Sequence, residues 1–375
     1  MSETWPNILN FAFEQPHESK FKKLVALGLR GILKPLLFNL EFRISFFSGI
    51  GATSKIGTIG EFLQNQTRIH TEMKSTHKPF FQKITQKSLT RKLYTVLQPY
   101  FPPAEVSIFS AGEATSNMSK ACDVAVTYLL LTEQLKKQVK AFAAKLVIYL
   151  IIFTVFIVVF ARIISESTKP IQKQLGGALP ESTQFFIDMD VFLTNNLIYL
   201  AIILVSLFIL TTYRLPRGKG KFRSFLHTYI PGFKLYRRYV SCSFLLSLSA
   251  MLGSGMTMQE AIRIINSTSL DYLGYHTDSM RRKLAASASK SKSLNVDLLP
   301  KMMYLNVTQF ISGKDVGDAL MAVAEFELKS LERTLGRYNV ILRMIIFGVA
   351  GYLIITGYSA SFDPALELME KSYQY

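Results

Sequence analysis

Three stretches of this 375-residue chain carry no charged side chain over a distance comparable with the thickness of a lipid bilayer. A helix rises about 1.5 Å per residue, so crossing about 30 Å of hydrocarbon takes about 20 mainly apolar residues. Residues 191–213 and 344–362 are uncharged throughout. Residues 146–161 lie between Lys145 and Arg162, whose flexible stems let their charges reach the interface. With their apolar flanks the expected spans are residues 142–164, 191–213 and 344–362. No Asp, Glu, Lys, Arg or His interrupts the uncharged runs, so they offer no proton relay or intramembrane acid–base pair.

The basic residues orient these spans. Eighteen lysines and arginines fall in residues 1–140 and twenty in 214–343, against three in 162–190 and one in 359–375. Basic residues gather on the cytosolic side, and those nearest a span count most. Lys136, Lys137, Lys140 and Lys145 approach the first span, Arg214 and Arg217 follow the second, and Arg337 and Arg343 precede the third. The expected layout is therefore a cytosolic amino terminus, a cytosolic region 41–141, a periplasmic connector 165–190, a second cytosolic region 214–343 and a periplasmic tail 363–375. The net charge of +17 would suggest nucleic acid in a soluble protein. Here the surplus lies beside membrane, where it meets anionic lipid. Residues 1–40 lack a cleavable signal pattern. Lys20, Lys22, Lys23, Arg30 and Lys34 alternate with leucines there, which fits either a helix lying on the inner leaflet or a solvated basic helix start.

The two cytosolic regions resemble one another. In the second, Phe244, Leu245, Leu248, Met251 and Leu252 keep helical spacing until Gly253 and Gly255 break it. Thr257 and Glu260 then have the spacing of a capping box, which predicts a helical hairpin. In the first, Gly49, Gly51 and Gly57 precede Thr58 and Glu61, an equivalent box 199 residues upstream. A second landmark pairs Gly112 and Glu113 with Gly313 and Lys314, followed by Ser116 and Gly317, at an offset of 201. Lys145 and Arg343 pair at 198. Three landmarks at nearly one offset mark a duplicated unit. The predicted fold is an all-α membrane protein with two duplicated cytosolic antiparallel helical bundles and three transmembrane helices; the middle span returns the chain to the cytosol.

This order resembles the type II secretion system F (PilC-like) platform family of type IV pilus and type II secretion machines. The features are the Gly253–Gly255–Thr257–Glu260 hairpin, the Gly112–Glu113 and Gly313–Lys314 turns, and a basic approach to a span. The resemblance runs over residues 40–360. Lys314 departs from the acidic residue usual in the family turn, as Ser116 and Asn117 depart from its second glycine. That divergence is closer to the branch serving type IVb or conjugative thin pili. The resemblance implies a non-catalytic inner-membrane platform that works with a cytosolic hexameric ATPase, pilin subunits, other assembly proteins, membrane lipid and further copies of itself. It implies no cofactor and no nucleic acid.

Other chemistry finds little footing. Residues 217–221 lack the phosphate-loop spacing and follow a span. Cys122 and Cys242 are far apart and set in apolar surroundings, which suits buried inert thiols. The five histidines form no zinc motif along the sequence, so nothing points to a metalloenzyme. A membrane-anchored signalling or scaffold protein is the alternative reading, although residues 165–190 are too few for an ordinary sensor domain. In the third span, Gly348, Gly351 and Gly357 are expected to offer a close-packing side to another span or another copy.

Overall fold

The computed structural model describes residues 37–174, 179–217, 231–269, 271–286, 289–311 and 316–373. All regular structure among them is α-helical. The chain divides into two compact units, one of residues 1–135 with 217–328 and the other of residues 136–216 with 329–375.

In the first unit, α1 (Leu40–Thr53), α2 (Ile59–Glu72), α3 (Lys78–Ser88), α4 (Leu93–Leu97) and α5 (Pro103–Ala114) lead into α6 (Met118–Gln174). Asn39 caps α1 by accepting from Phe42 N. The Thr58 box forms in full: Thr58 Oγ1 accepts from Glu61 N at 3.2 Å, and the Glu61 carboxylate accepts from Thr58 N at 3.1 Å. Phenylalanine dominates the core of this helix set. Phe46 and Phe47 meet Phe101 at ring-centroid separations of 5.3 and 5.5 Å, and Phe80 meets Tyr100 edge-on at 5.0 Å, an arrangement that aromatic quadrupoles favour.

The other helices of this unit are α8 (Pro231–Gly253), α9 (Met258–Thr268), α10 (Asp271–Ala285), α11 (Lys290–Ser293), α12 (Lys301–Phe310) and the start of α13 (Val316–Tyr373). The predicted apolar stripe of α8 is buried at Phe244, Leu245, Leu248 and Met251. Around it the core is mainly aliphatic, with Ile262, Met280, Leu298 and Val307 also buried. Thr257 Oγ1 accepts from Glu260 N at 3.3 Å, so half of the expected box is present at α9.

The second unit holds the remainder of α6 and α13 together with α7 (Glu181–Arg217). Both α6 and α13 contain stretches long and apolar enough to cross a membrane. All three expected spans fall within longer helices. Residues 165–174 and 181–190 of the expected connector are helical, as are residues 363–373 of the expected tail. The helix continues through Pro170 and Pro364. Proline lacks an N–H and so strands the carbonyl four residues earlier, which for Pro364 is that of Ala360. Thr183 of α7 supplies the missing donor, its Oγ1 lying 2.7 Å from Ala360 O. Beside it, Ser182 Oγ donates to Asp363 at 2.9 Å. Ile164, Phe186, Leu353 and Ala360 form the buried cluster of this unit.

Candidate functional site

Several of the turn residues singled out by the sequence, Gly112, Gly253, Gly255 and Gly317 among them, meet in the first unit. Helix α5 packs against both α8 and α9, which carries the end of one helix set onto the hairpin of the other. The last turn of α5, the start of α6, the α8–α9 turn and the start of α13 meet there. Gly255 has a φ of +96°, a conformation glycine adopts without strain. A side chain at that position would come within 2.9 Å of Thr115 Cγ2. A Cβ on Gly317 would lie 2.2 Å from Gly253 N and 2.3 Å from its Cα, so α8 and α13 touch main chain to main chain. Gly112 lies against Ala121, whose Cβ would be 2.3 Å from an added methyl.

Gly51 makes the matching close approach at the end of α1. Its added Cβ would be 3.0 Å from that of Cys122 in α6. Gly49 lies under the Phe62 ring. Thr58, Glu61, Thr257 and Glu260 cap helices as described. Gly313 and the basic residues Lys20, Lys22, Lys23, Arg30 and Lys34 lie outside the described residues.

Lys120, on the first turn of α6, reaches Asp318 on the first turn of α13 at 3.5 Å. Both side chains are about half exposed, so the pair adds at most about 1 kcal/mol. Two adjoining cavities flank this ion pair. One, of about 630 Å³, is lined by Gly253, Gly255, Thr257, Lys290 and Asp318; the other, of about 350 Å³, by Asp123, Thr127, Ser249 and Glu325. The Glu113 carboxylate faces inward, accepting from Leu93 N at 3.1 Å and Tyr94 N at 3.5 Å. It thereby caps α4, whose first N–H groups have no partner within the helix. Its charge is committed to that helix end.

The three glycines of the third span separate. Gly357 lies against Phe160 and Ile164 of α6, with an added Cβ only 2.5 Å from Ile164 Cδ1. Gly348 and Gly351 have nothing within 4 Å of an added Cβ. The reason is angular: at about 100° per residue, nine residues turn half a circle, placing Gly357 opposite Gly348.

Several polar anchors carry no sequence pattern. Arg43 pairs with buried Glu105. Arg238 pairs with buried Glu327 at 3.2 Å, and Arg237 donates to the carbonyls of Leu298 and Leu299 at 3.0 Å each. Each joins residues about 60 to 90 apart, and such pairing leaves no periodic signal. Both cysteines are buried. Desolvation pushes each thiol up to about 12, so neither supplies a thiolate near neutrality.

Residues 244–364 match the sequence profile of the family described as type II secretion system (T2SS), protein F. No curated protein sequence matches the chain significantly.

Proposed function

We propose, from the match of residues 244–364 to the profile of the type II secretion system (T2SS), protein F family, whose members are membrane platform proteins rather than enzymes, that this chain is the inner-membrane platform of a type IV pilus or type II secretion machine. In this reading it binds a cytosolic hexameric ATPase, passes the motion of hydrolysis to the membrane and helps extract and assemble pilin subunits. Further copies, pilins, other assembly proteins and lipid are its membrane partners.

The family match is the observation that carries this reading. The helix order supports a duplicated platform architecture. Helices α2 and α9, α4 and α11, α5 and α12, and α6 and α13 begin 197 to 199 residues apart. The Lys120–Asp318 pair joins positions separated by 198, the same interval. A pseudo-symmetric junction of this kind suits an adaptor that holds two similar bundles together. The apolar stretches of α6 and α13 support membrane insertion, and the asymmetry of Lys and Arg supports three spans with a cytosolic amino terminus and a periplasmic carboxyl terminus.

The test is capture of the full chain in detergent micelles with a secretion ATPase of the same cell, followed by hydrolysis measurements. Saturable binding with a changed hydrolysis rate is expected. Absence of binding together with an unchanged rate refutes the coupling.

A further inference from the structure

A cavity of about 450 Å³ lies among α1, α2 and α3, with Glu41, Phe42, Gln66, His70, His77 and Phe81 in its lining. His70 lies in the last turn of α2 and His77 immediately precedes α3. The turn between them contains Lys74 at a left-handed φ of 48°. It brings two imidazoles seven residues apart to a ring-centroid separation of 5.9 Å, inclined at 81°. Both rings are held by stacking, His70 on Phe81 at 4.5 Å and His77 on Phe42 at 4.3 Å. His70 Nδ1 is shielded from solvent and has no hydrogen-bond partner.

We propose that His70 and His77 form a binding site for a divalent metal ion of borderline softness, of the Zn²⁺ class, with the Glu41 carboxylate as third donor. Neutral imidazole is the commonest protein ligand for such ions. A neutral imidazole offers a lone pair on one ring nitrogen. Zn–N bonds of about 2.0–2.1 Å at a tetrahedral angle place two imidazole centroids about 5 Å apart. The observed pair needs to close by less than about 1 Å from 5.9 Å. Among the described residues no three His, Cys, Asp or Glu side chains are already gathered. The third donor therefore comes from rotation of Glu41, an exposed residue on the first turn of α1 that lines the same cavity. Ca²⁺ and Mg²⁺ fit poorly, since they take oxygen donors. A bound ion would tie α1 to the α2–α3 hairpin, whether or not the chain serves a pilus.

The test uses the full chain in detergent micelles, with Co²⁺ as the spectroscopic probe and Zn²⁺ as competitor. Expected are one Co²⁺ per chain, visible absorption of a four-coordinate nitrogen and oxygen site, and displacement by Zn²⁺. His70→Gln and His77→Gln each weaken binding about tenfold or more. Zn²⁺ should also shield His70 and His77 of the unaltered chain from diethyl pyrocarbonate, read by mass spectrometry, which does not depend on how the variants fold. Absence of saturable binding up to about 1 mM ion, binding retained after both substitutions, or shielding confined to other histidines overturns the site.

Discussion

Replacing Gly317 by alanine tests the main-chain contact between α8 and α13 most directly. The added methyl would sit 2.2 Å from Gly253 N and 2.3 Å from Gly253 Cα, whereas carbon atoms rest at about 3.5–4.0 Å. No flexible side chain can give way, so the two helices must part by more than about 1 Å. Overpacking of this kind costs about 1–3 kcal/mol, and the upper end applies where both partners are backbone. Alanine returns about 0.5–1 kcal/mol of helix propensity. The net loss is about 2 kcal/mol, which lowers Tm by about 4–8 °C at roughly 2–4 °C per kcal/mol for a domain of this size. Scanning fluorimetry of the full chain in micelles measures it. Gly348→Ala and Gly351→Ala are the controls, because nothing lies within 4 Å of either added Cβ; both should melt with the unaltered chain or slightly above it. A Gly317→Ala protein that melts unchanged, or controls that fall as far, would refute the close-contact reasoning.

Thr183→Val removes the donor to Ala360 O and should destabilise the second unit by about 1–3 kcal/mol, measured as a fall in Tm. In a Pro364→Ala background, where the helix supplies its own N–H, the same substitution should cost much less. Acid should weaken the first helix set, because the folded pKa values of His70 and His77 lie below 6.5. The unfolded chain then takes up protons first, so stability is full above 6.5 and falls as pH drops from there toward the folded values. Glu41 lines the same cavity, and Lys74 and Lys78 flank the turn. Thermal melts between pH 5 and pH 8 should show this slope, and His70→Gln with His77→Gln should flatten it. Cys122 and Cys242 should resist maleimide at neutral pH until denaturant is added, since their thiols titrate at about 12; labelling of the folded chain followed by mass spectrometry checks this.

Features written locally in the chain were the legible ones. Thr58 with Glu61 is spaced for a cap and forms one, and Gly253 with Gly255 breaks α8 where the apolar stripe ends. The limits of helix α6 and of α13 were less legible, because each runs on through a proline, and a stranded carbonyl can take a donor from far along the chain. For Ala360 that donor, Thr183, is 177 residues away. Gly348, Gly351 and Gly357 are close in sequence, yet a half-turn separates the last from the first. His70 and His77 match no motif, and the left-handed Lys74 turn that joins them has no glycine to announce it. The contents of the two cores were not legible in the turns: phenylalanine fills one, and mainly aliphatic side chains fill the other.

That difference in filling bears on how the chain assembles. If the two helix sets are the repeats that the turn spacing suggests, they are natural mispartners while the polypeptide is still collapsing, since mismatched docking is a common failure of repeated architectures. A gap shaped for Phe46, Phe47, Phe80 and Phe101 is poorly filled by Leu248, Ile262, Leu298 and Val307, and the reverse exchange forces rings into space sized for branched chains. Voids on one side and collisions on the other would penalise the crossed arrangement by several kcal/mol, steering each segment toward its own neighbours.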